Sequence, residues 1–574
     1  MKGDKFIELL GSKVLEVTRQ SEEQVTILVE RADLPEVVSF LYYDCGGWLS
    51  TMVANDEREL NKHFALYYAI SLEGSLNETN AEFKGVGVAE DECCYIIVKT
   101  LIPANNKTYP SVTPKVPAAV WYEREAFDMF GLVAEGLPDK RRLVLSDDLP
   151  EDFHPLLKDF DYRTRPEPVS YKNEPDYAFN HPKSEAVTDI PLGPLHITAD
   201  EPGHFRLYCD GDTIVDADYR LFYQHRGMEK LAENRMHYTQ MGFLAERVCG
   251  ICGFSHSIAC AEATEIAAGI EVPRRAEAIR VMCAEVERLH SHLLNMGLAC
   301  EVTGNYTAFM HIFRVREKTM FMAQLLTGAR KTYGMILPGG VRRDVSERER
   351  IDLLRLCNEV AQELKDIWQV VLEDKRQMGR WKGVGVLDYQ VARDFSPVGP
   401  NIKSSGFLRD SRISHKRGFY RELDVERIVE ASCDVYGREQ VRYREVLNSL
   451  SLIKQCLDKM PQGEIMTRQN WRIKPWSYAL GVVEAPRGEL IHFVMQSKSQ
   501  KVYRWRARAS TYNNWPSLRF QLQNNTIADA ALIVCSLDPC YSCTDRVTLT
   551  DIKSGKSRVI GDKELKAIAR GEKI

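Results

Sequence analysis

Hydrophobic and polar positions divide this chain into two stretches of different period. Over residues 1–165 short apolar runs alternate with polar breaks. A brief amphipathic segment at the start is followed by strand-like runs, Gln24-Val-Thr-Ile-Leu-Val29 and Cys94-Tyr-Ile-Ile-Val-Lys99. Between them, Leu34-Pro-Glu-Val-Val-Ser-Phe-Leu-Tyr-Tyr43 predicts a helix opened by proline in its first turn, where no intrahelical N–H is needed. Residues 166–189 are rich in Pro, Asp, Glu, Lys and Tyr and sparse in aliphatics, so they read as a linker. From residue 190 the pattern changes. His204-Phe-Arg-Leu-Tyr-Cys209 and Thr213-Ile-Val-Asp-Ala-Asp-Tyr219 predict two strands joined across Asp210-Gly-Asp212. Helical spacing of apolar positions then predicts long helices over 273–297 and 346–378. The expected fold class is α+β: an α/β domain at 1–165, a mostly helical domain at 190–546, and a lysine-rich extension at 547–574.

Composition adds limits. A chain of 574 residues, 44% hydrophobic and 27% charged, can bury more than one core. A net charge of −5 argues against a general nucleic-acid binder. The start lacks the apolar run of a secretion signal, and no stretch approaches the roughly 20 apolar residues that cross a bilayer. Fifteen cysteines in such a chain imply a reducing compartment with thiols available for metals or packing. The expectation is a cytoplasmic protein that reaches a membrane only through partners.

The cysteines carry the chemistry. Cys249-Gly-Ile-Cys252 and Cys540-Tyr-Ser-Cys543 each let two thiolates bind one metal from a single turn, and together they make a four-thiolate cage. Spacing alone leaves zinc, an iron–sulfur cluster and nickel open. Zinc-ribbon pairs, however, lie about 15–20 residues apart on small knuckles, whereas these are separated by most of a domain. Closing so long a loop suits a site buried in a domain core.

The sequence around the pairs strongly resembles the two signatures of the [NiFe]-hydrogenase large subunit: Glu246-Arg-Val-Cys-Gly-Ile-Cys-Gly-Phe-Ser-His256, and Asp538-Pro-Cys540 with Cys543 and Arg546. Further matches point to complex I. Gly203-His-Phe-Arg-Leu207, Ala217-Asp-Tyr-Arg220 and His225-Arg-Gly-Met-Glu-Lys230 are similar to its 49-kDa quinone-site subunit, and Tyr122-Glu-Arg-Glu-Ala-Phe-Asp-Met-Phe-Gly-Leu132 to its 30-kDa subunit. A hydrogenase large subunit with complex I features fused behind a 30-kDa-like domain resembles the membrane-associated group 4 enzymes of formate hydrogenlyase type. The complex I subunit lacks the four cysteines present here.

The resemblance implies a Ni–Fe centre with CO and cyanide on the iron. Cys249 and Cys540 would be terminal nickel ligands, Cys252 and Cys543 bridging ones, and His256 would hydrogen-bond a bridging sulfur. Cys540 would serve as the first base, and Arg487, in Glu484-Ala-Pro-Arg-Gly488, would hang over the open metal position. A free arginine is a poor base, so its role would be positioning and charge; the plain alternative is a structural ion pair with Glu484 or Glu489. Glu201 falls at the family's proton-gate glutamate, although a Glu before Pro-Gly is ordinarily a turn residue. His290 and His292 read as helix packing and local hydrogen bonding. No other cysteine cluster resembles an iron–sulfur ligand set, so electrons would leave through partners: a small subunit with an iron–sulfur cluster, ferredoxin-like subunits, formate dehydrogenase and complex I-type membrane subunits. A maturation endopeptidase would cut between Arg546 and Val547 after nickel-insertion proteins load the site. Two other readings remain, a complex I-like quinone oxidoreductase subunit and a zinc-stabilised scaffold; cysteine-to-serine changes would leave the first active and unfold the second.

Overall fold

The computed structural model describes residues 2–73, 93–147, 149–161, 163–164, 177–182, 184, 186–193, 202–223, 225–331, 334–467 and 472–544, with backbone alone at Cys543 and Thr544. After a short helix, α1 (Asp4–Leu10), come β1 (Val14–Ser21), β2 (Gln24–Val29), α2 (Leu34–Ser39), β3 (Trp48–Glu57), β4 (His63–Leu72) and β5 (Cys94–Pro103). The strands form one sheet in the order β1-β2-β5-β4-β3, with β2 and β5 parallel and the other neighbours antiparallel. The helix expected over 34–43 is shorter, ending as α2 and passing into a π-helical turn, Phe40–Asp44.

β4 is apolar on both faces because both are covered. One face packs on Phe6, Leu34, Val37 and Leu41. The other, through Tyr67 together with Tyr95 and Ile97 of β5, meets Leu480, Ile491 and Phe493 of a second sheet. α3 (Val120–Phe130) carries the 30-kDa-like signature, and its charges are not solvated. Buried Glu123 takes Val112 N at 2.7 Å, and buried Asp128 takes the amides of Leu143 and Val144 at 2.9 and 2.8 Å. The two carboxylates pin the loops on either side of the helix.

β6 (Thr188–Leu192) already begins inside the segment read as a linker and pairs with β7 (His204–Asp210), which pairs with β8 (Thr213–Arg220). Then come α4 (Gly253–Ala268) and α5 (Arg274–Val302). α5 runs past the expected stop at Gly297, because that glycine serves packing: a Cβ there would lie 2.7 Å from the Phe313 ring. The helix expected over 346–378 starts where the capping box of Ser346 and Glu349 places it, as α6 (Glu347–Glu373). It breaks at Asp374, whose carboxylate caps a separate helix, α7 (Lys375–Trp381). α8 (Val435–Lys459) follows.

The second sheet, β9 (Tyr478–Ala485), β10 (Gly488–Gln496) and β11 (Val502–Arg508), is an antiparallel meander between the first sheet and α4. Gly481 sets the second contact, since a Cβ there would lie 1.8 Å from the Ala259 carbonyl oxygen of α4. Gly481→Ala forces helix and sheet apart. We expect it to destabilise the chain by about 1–3 kcal/mol or more, seen as a lowered melting temperature; an unchanged melt would contradict this packing.

Candidate metal centre

The first cysteine pair lies on the turn entering α4, with Cys252 as the residue that opens the helix. The backbone N–H groups of Ile251 and Cys252 each lie 3.2 Å from Cys249 Sγ, and donors aimed at sulfur favour thiolate. The first amides of α4 would otherwise be orphaned. Glu287 of α5 accepts from Phe254 N at 2.7 Å and Ser255 N at 2.9 Å. Burial raises the Glu287 carboxyl to about 7 in spite of these donors.

The second pair enters from a different direction. Asp538 adopts φ 55°, and the chain turns through Pro539 and Cys540 into α9 (Tyr541–Thr544). Asn295 of α5 donates to the Cys535 carbonyl at 2.8 Å, and Arg442 of α8 to that of Ser536 at 2.6 Å. The result is that Cys249 Sγ and Cys540 Sγ lie 3.3 Å apart although 291 residues separate them. With Cys252 and Ala509 they form one buried cluster. Arg226 staples the two loops, donating to Val248 O at 2.8 Å and Ser542 O at 3.2 Å. It lies in the quoted His225–Lys230 motif, but its part as a clamp has no local signature. Among the described residues no three His, Cys, Asp or Glu side chains converge on one metal-sized point. The side chain of Cys543, one turn beyond Cys540 on α9, lies outside the described residues. A close pair of cysteine sulfurs, a third cysteine beside it and amides directed at sulfur suit a soft divalent metal held by thiolates.

Arg487 occupies the two-residue tip of the β9–β10 hairpin. The tip is held by a reciprocal close approach: a Cβ on Gly488, at φ +111°, would lie 2.3 Å from Gly399 N, and one on Gly399 would lie 2.4 Å from Arg487 O. Its partner is neither Glu484 nor Glu489. It donates to the Asp538 carbonyl and carboxylate, each at 2.7 Å, and to Ser291 Oγ at 3.2 Å. Asp538 stands inside the second cysteine motif, so the arginine is tied to the loop it faces. Burial alone would depress its pKa, but Asp538, Cys540, Cys252 and Cys249 hold it well above the ordinary value. Arg487 is therefore a fixed cation.

His256 is buried on α4, with Nδ1 2.9 Å from His492 Nε2. His292 bonds Glu445 of α8 at 2.7 Å, a partner distant in sequence where local hydrogen bonding was expected, and burial lowers it to about 4. Burial also holds His290 well below its usual value. Glu201, Arg546 and Val547 lie outside the described residues. The other described cysteines, Cys45, Cys93, Cys94, Cys209, Cys283, Cys300 and Cys535 among them, take part in no disulfide and are mostly buried.

Behind the hairpin lies an ionic cluster with no sequence signature. Lys403 contacts Asp410 and Glu445 at 2.6 Å each and Glu484 at 3.8 Å. Arg412 bonds Asp410 and Glu285, and Arg288 bonds Glu285 and Glu445. Three cations thus face four carboxylates. Burial, and then Asp410, raise the Glu484 carboxyl to about 7.

The model of the respiratory-chain NADH dehydrogenase 49 Kd subunit matches residues 303–479 and 472–546, that of the 30 Kd subunit residues 27–166, and that of nickel-dependent hydrogenase residues 226–296. The chain is 50% identical to formate hydrogenlyase subunit 5 of Escherichia coli (strain K12), covering 97% of this chain and 95% of that protein. It is also 50% identical to hydrogenase-4 component G of the same organism, covering 96% and 93%. Among solved structures, the membrane-bound sulfane sulfur reductase, an archaeal respiratory membrane complex, superposes with TM-score 0.60 at 30% identity over 64% of this chain and 100% of that one.

The ionic cluster predicts a pH effect. Glu484 binds its proton more tightly folded than unfolded, so its contribution to stability is full below the ordinary 4.5 and is lost as pH rises to about 7. Glu484→Gln should flatten this fall, measured by denaturant titration across that window; parallel curves for variant and wild type would refute the assignment.

Proposed function

Because this chain belongs to the group 4 [NiFe]-hydrogenase large subunits, we propose that it is the catalytic subunit of a complex that reversibly reduces protons to H2 with electrons from formate oxidation. Membership of a nickel-dependent hydrogenase family implies a Ni–Fe centre. In this reading Cys249, Cys252, Cys540 and Cys543 would hold the nickel, Cys252 and Cys543 would also serve an iron with CO and cyanide, and His256 would support one of these sulfurs. The observation that carries it is the 3.3 Å approach of Cys249 and Cys540 sulfurs in a buried cluster that Arg487 faces.

When bound, the centre supplies heterolytic cleavage and formation of H2 at neutral pH. The chain's own groups divide the remaining work. Arg487 keeps its charge and supplies positive potential toward the thiolates; Asp538 aims the guanidinium with two hydrogen bonds at 2.7 Å. A fixed cation accepts no proton, so in this reading the first proton-holding atom is Cys540 Sγ, and Glu201 takes the family's proton-gate role. Burial of the cluster excludes water from the sulfurs.

Electrons from formate dehydrogenase arrive through ferredoxin-like subunits and a small subunit with an iron–sulfur cluster. Among the described residues no helix is long and apolar enough to cross a membrane; the chain sits at the cytoplasmic face on complex I-type membrane subunits. A maturation endopeptidase removes residues 547–574 once nickel is loaded.

The test is the complex purified without oxygen and assayed for H2 evolution. Cys252→Ser and Cys540→Ser should lose nickel and activity while the chain stays folded. Arg487→Lys should keep nickel and slow turnover by about 10²–10³-fold. Full activity in either serine variant would contradict the reading. Intact mass should show nickel-loaded chain ending at Arg546; a full-length mass in active enzyme would refute the cleavage.

A further inference from the structure

Three side chains from three elements line up behind the first cysteine pair. Trp505 of β11 points its indole Nε1 at His492 Nδ1, 3.1 Å away, and His492 Nε2 lies 2.9 Å from His256 Nδ1. All three are fully buried. β10 and β11 bring Trp505 and His492 together as neighbours across the sheet, since His492 pairs with Ala507 and Trp505 with Val494. The close approach of Gly481 to Ala259 then seats α4 on that sheet and delivers His256 to His492, because Gly481 pairs with His492 on the other side.

Donor and acceptor roles along this row are forced. An indole N–H only donates, so His492 Nδ1 carries no proton. A neutral His492 therefore holds its proton on Nε2 and donates it to His256. His256 Nδ1 must then accept, which leaves its proton on Nε2. We propose that Trp505 and His492 are positioning residues that fix the tautomer and ring orientation of His256, leaving its Nε2–H as the donor beside the cysteine centre. Partners of this kind set the tautomer and orientation of histidines around metal sites. The consequence for chemistry is a division of labour. In that reading His256 would give a hydrogen bond of fixed polarity to a cysteine sulfur, while Cys540 would serve as the base. This inference rests on the hydrogenase reading above.

The experiment uses the assembled complex, purified without oxygen, with His492→Leu, His492→Gln and Trp505→Phe. Glutamine reproduces both bonds, since its Oε1 accepts from Trp505 and its Nε2 donates to His256. Leucine reproduces neither, and Trp505→Phe removes only the first donor. Nickel content, the infrared bands of the iron ligands and H2 evolution against pH are measured for each. His492→Leu should keep nickel, shift the infrared bands and lose about 10–100-fold in turnover, with Trp505→Phe shifted in the same direction and His492→Gln restored to wild type. A merely structural role would move stability but not the bands. Unshifted bands in nickel-loaded His492→Leu and Trp505→Phe would overturn the proposal. So would a His492→Gln as impaired as His492→Leu. If the His492→Leu chain fails to fold, Trp505→Phe and His492→Gln decide alone. Wild-type complex without nickel would instead remove the hydrogenase reading itself.

Discussion

One face of α5 organises the site. Glu287, Ser291 and Asn295 recur at helical spacing of four, and each holds a different wall. Glu287 caps the helix that begins at Cys252, Ser291 meets the Arg487 guanidinium, and Asn295 ties down the segment leading to Cys540. Arg288, one position along, donates to the Glu484 and Ala485 carbonyls at 2.6 and 3.1 Å and so fixes the strand that carries Arg487. Two cysteine loops far apart in sequence converge because both lean on the same rigid post. Side chains locked by such second contacts hold geometry better than loops alone.

The N-terminal domain is built into this arrangement. Ser50 of β3 and Tyr95 of β5 donate to Glu489, two residues beyond Arg487, alongside Arg409 and Arg508. Asn513 donates to the Leu49 carbonyl and accepts from Tyr122 of the 30-kDa-like signature. Its neighbour Asn514 accepts from Val398 N, next to the glycine that cradles the hairpin tip. A buried carboxylate with several donors from two domains makes their separation costly. The first domain thus buttresses the hairpin as well as extending the chain's surface.

How much of this was legible in the sequence depends on the range of the interactions. The cysteine pairs, the Glu484–Gly488 motif that carries Arg487 and the 30-kDa-like signature declare themselves locally, and the α+β class and family follow from them. The start of α6 was readable because Ser346 and Glu349 cap it through near neighbours. The end of α5 was not, because Gly297 answers to Phe313 on another helix and not to the helix's own chemistry. The meander β9–β11 and the Lys403 cluster were missed for the same reason: their partners are distant in sequence, and no periodicity marks them. Asp538 stood in view beside Cys540, yet nothing local revealed that it holds Arg487.

The central claim is that the two cysteine pairs form one nickel site. It is tested most directly by nickel X-ray absorption on the complex purified without oxygen. Nickel surrounded by sulfur in wild type, with fewer sulfur neighbours or no nickel at all in Cys540→Ser, is the predicted result. Nickel bound through nitrogen and oxygen alone, or an unchanged spectrum in Cys540→Ser, would contradict it.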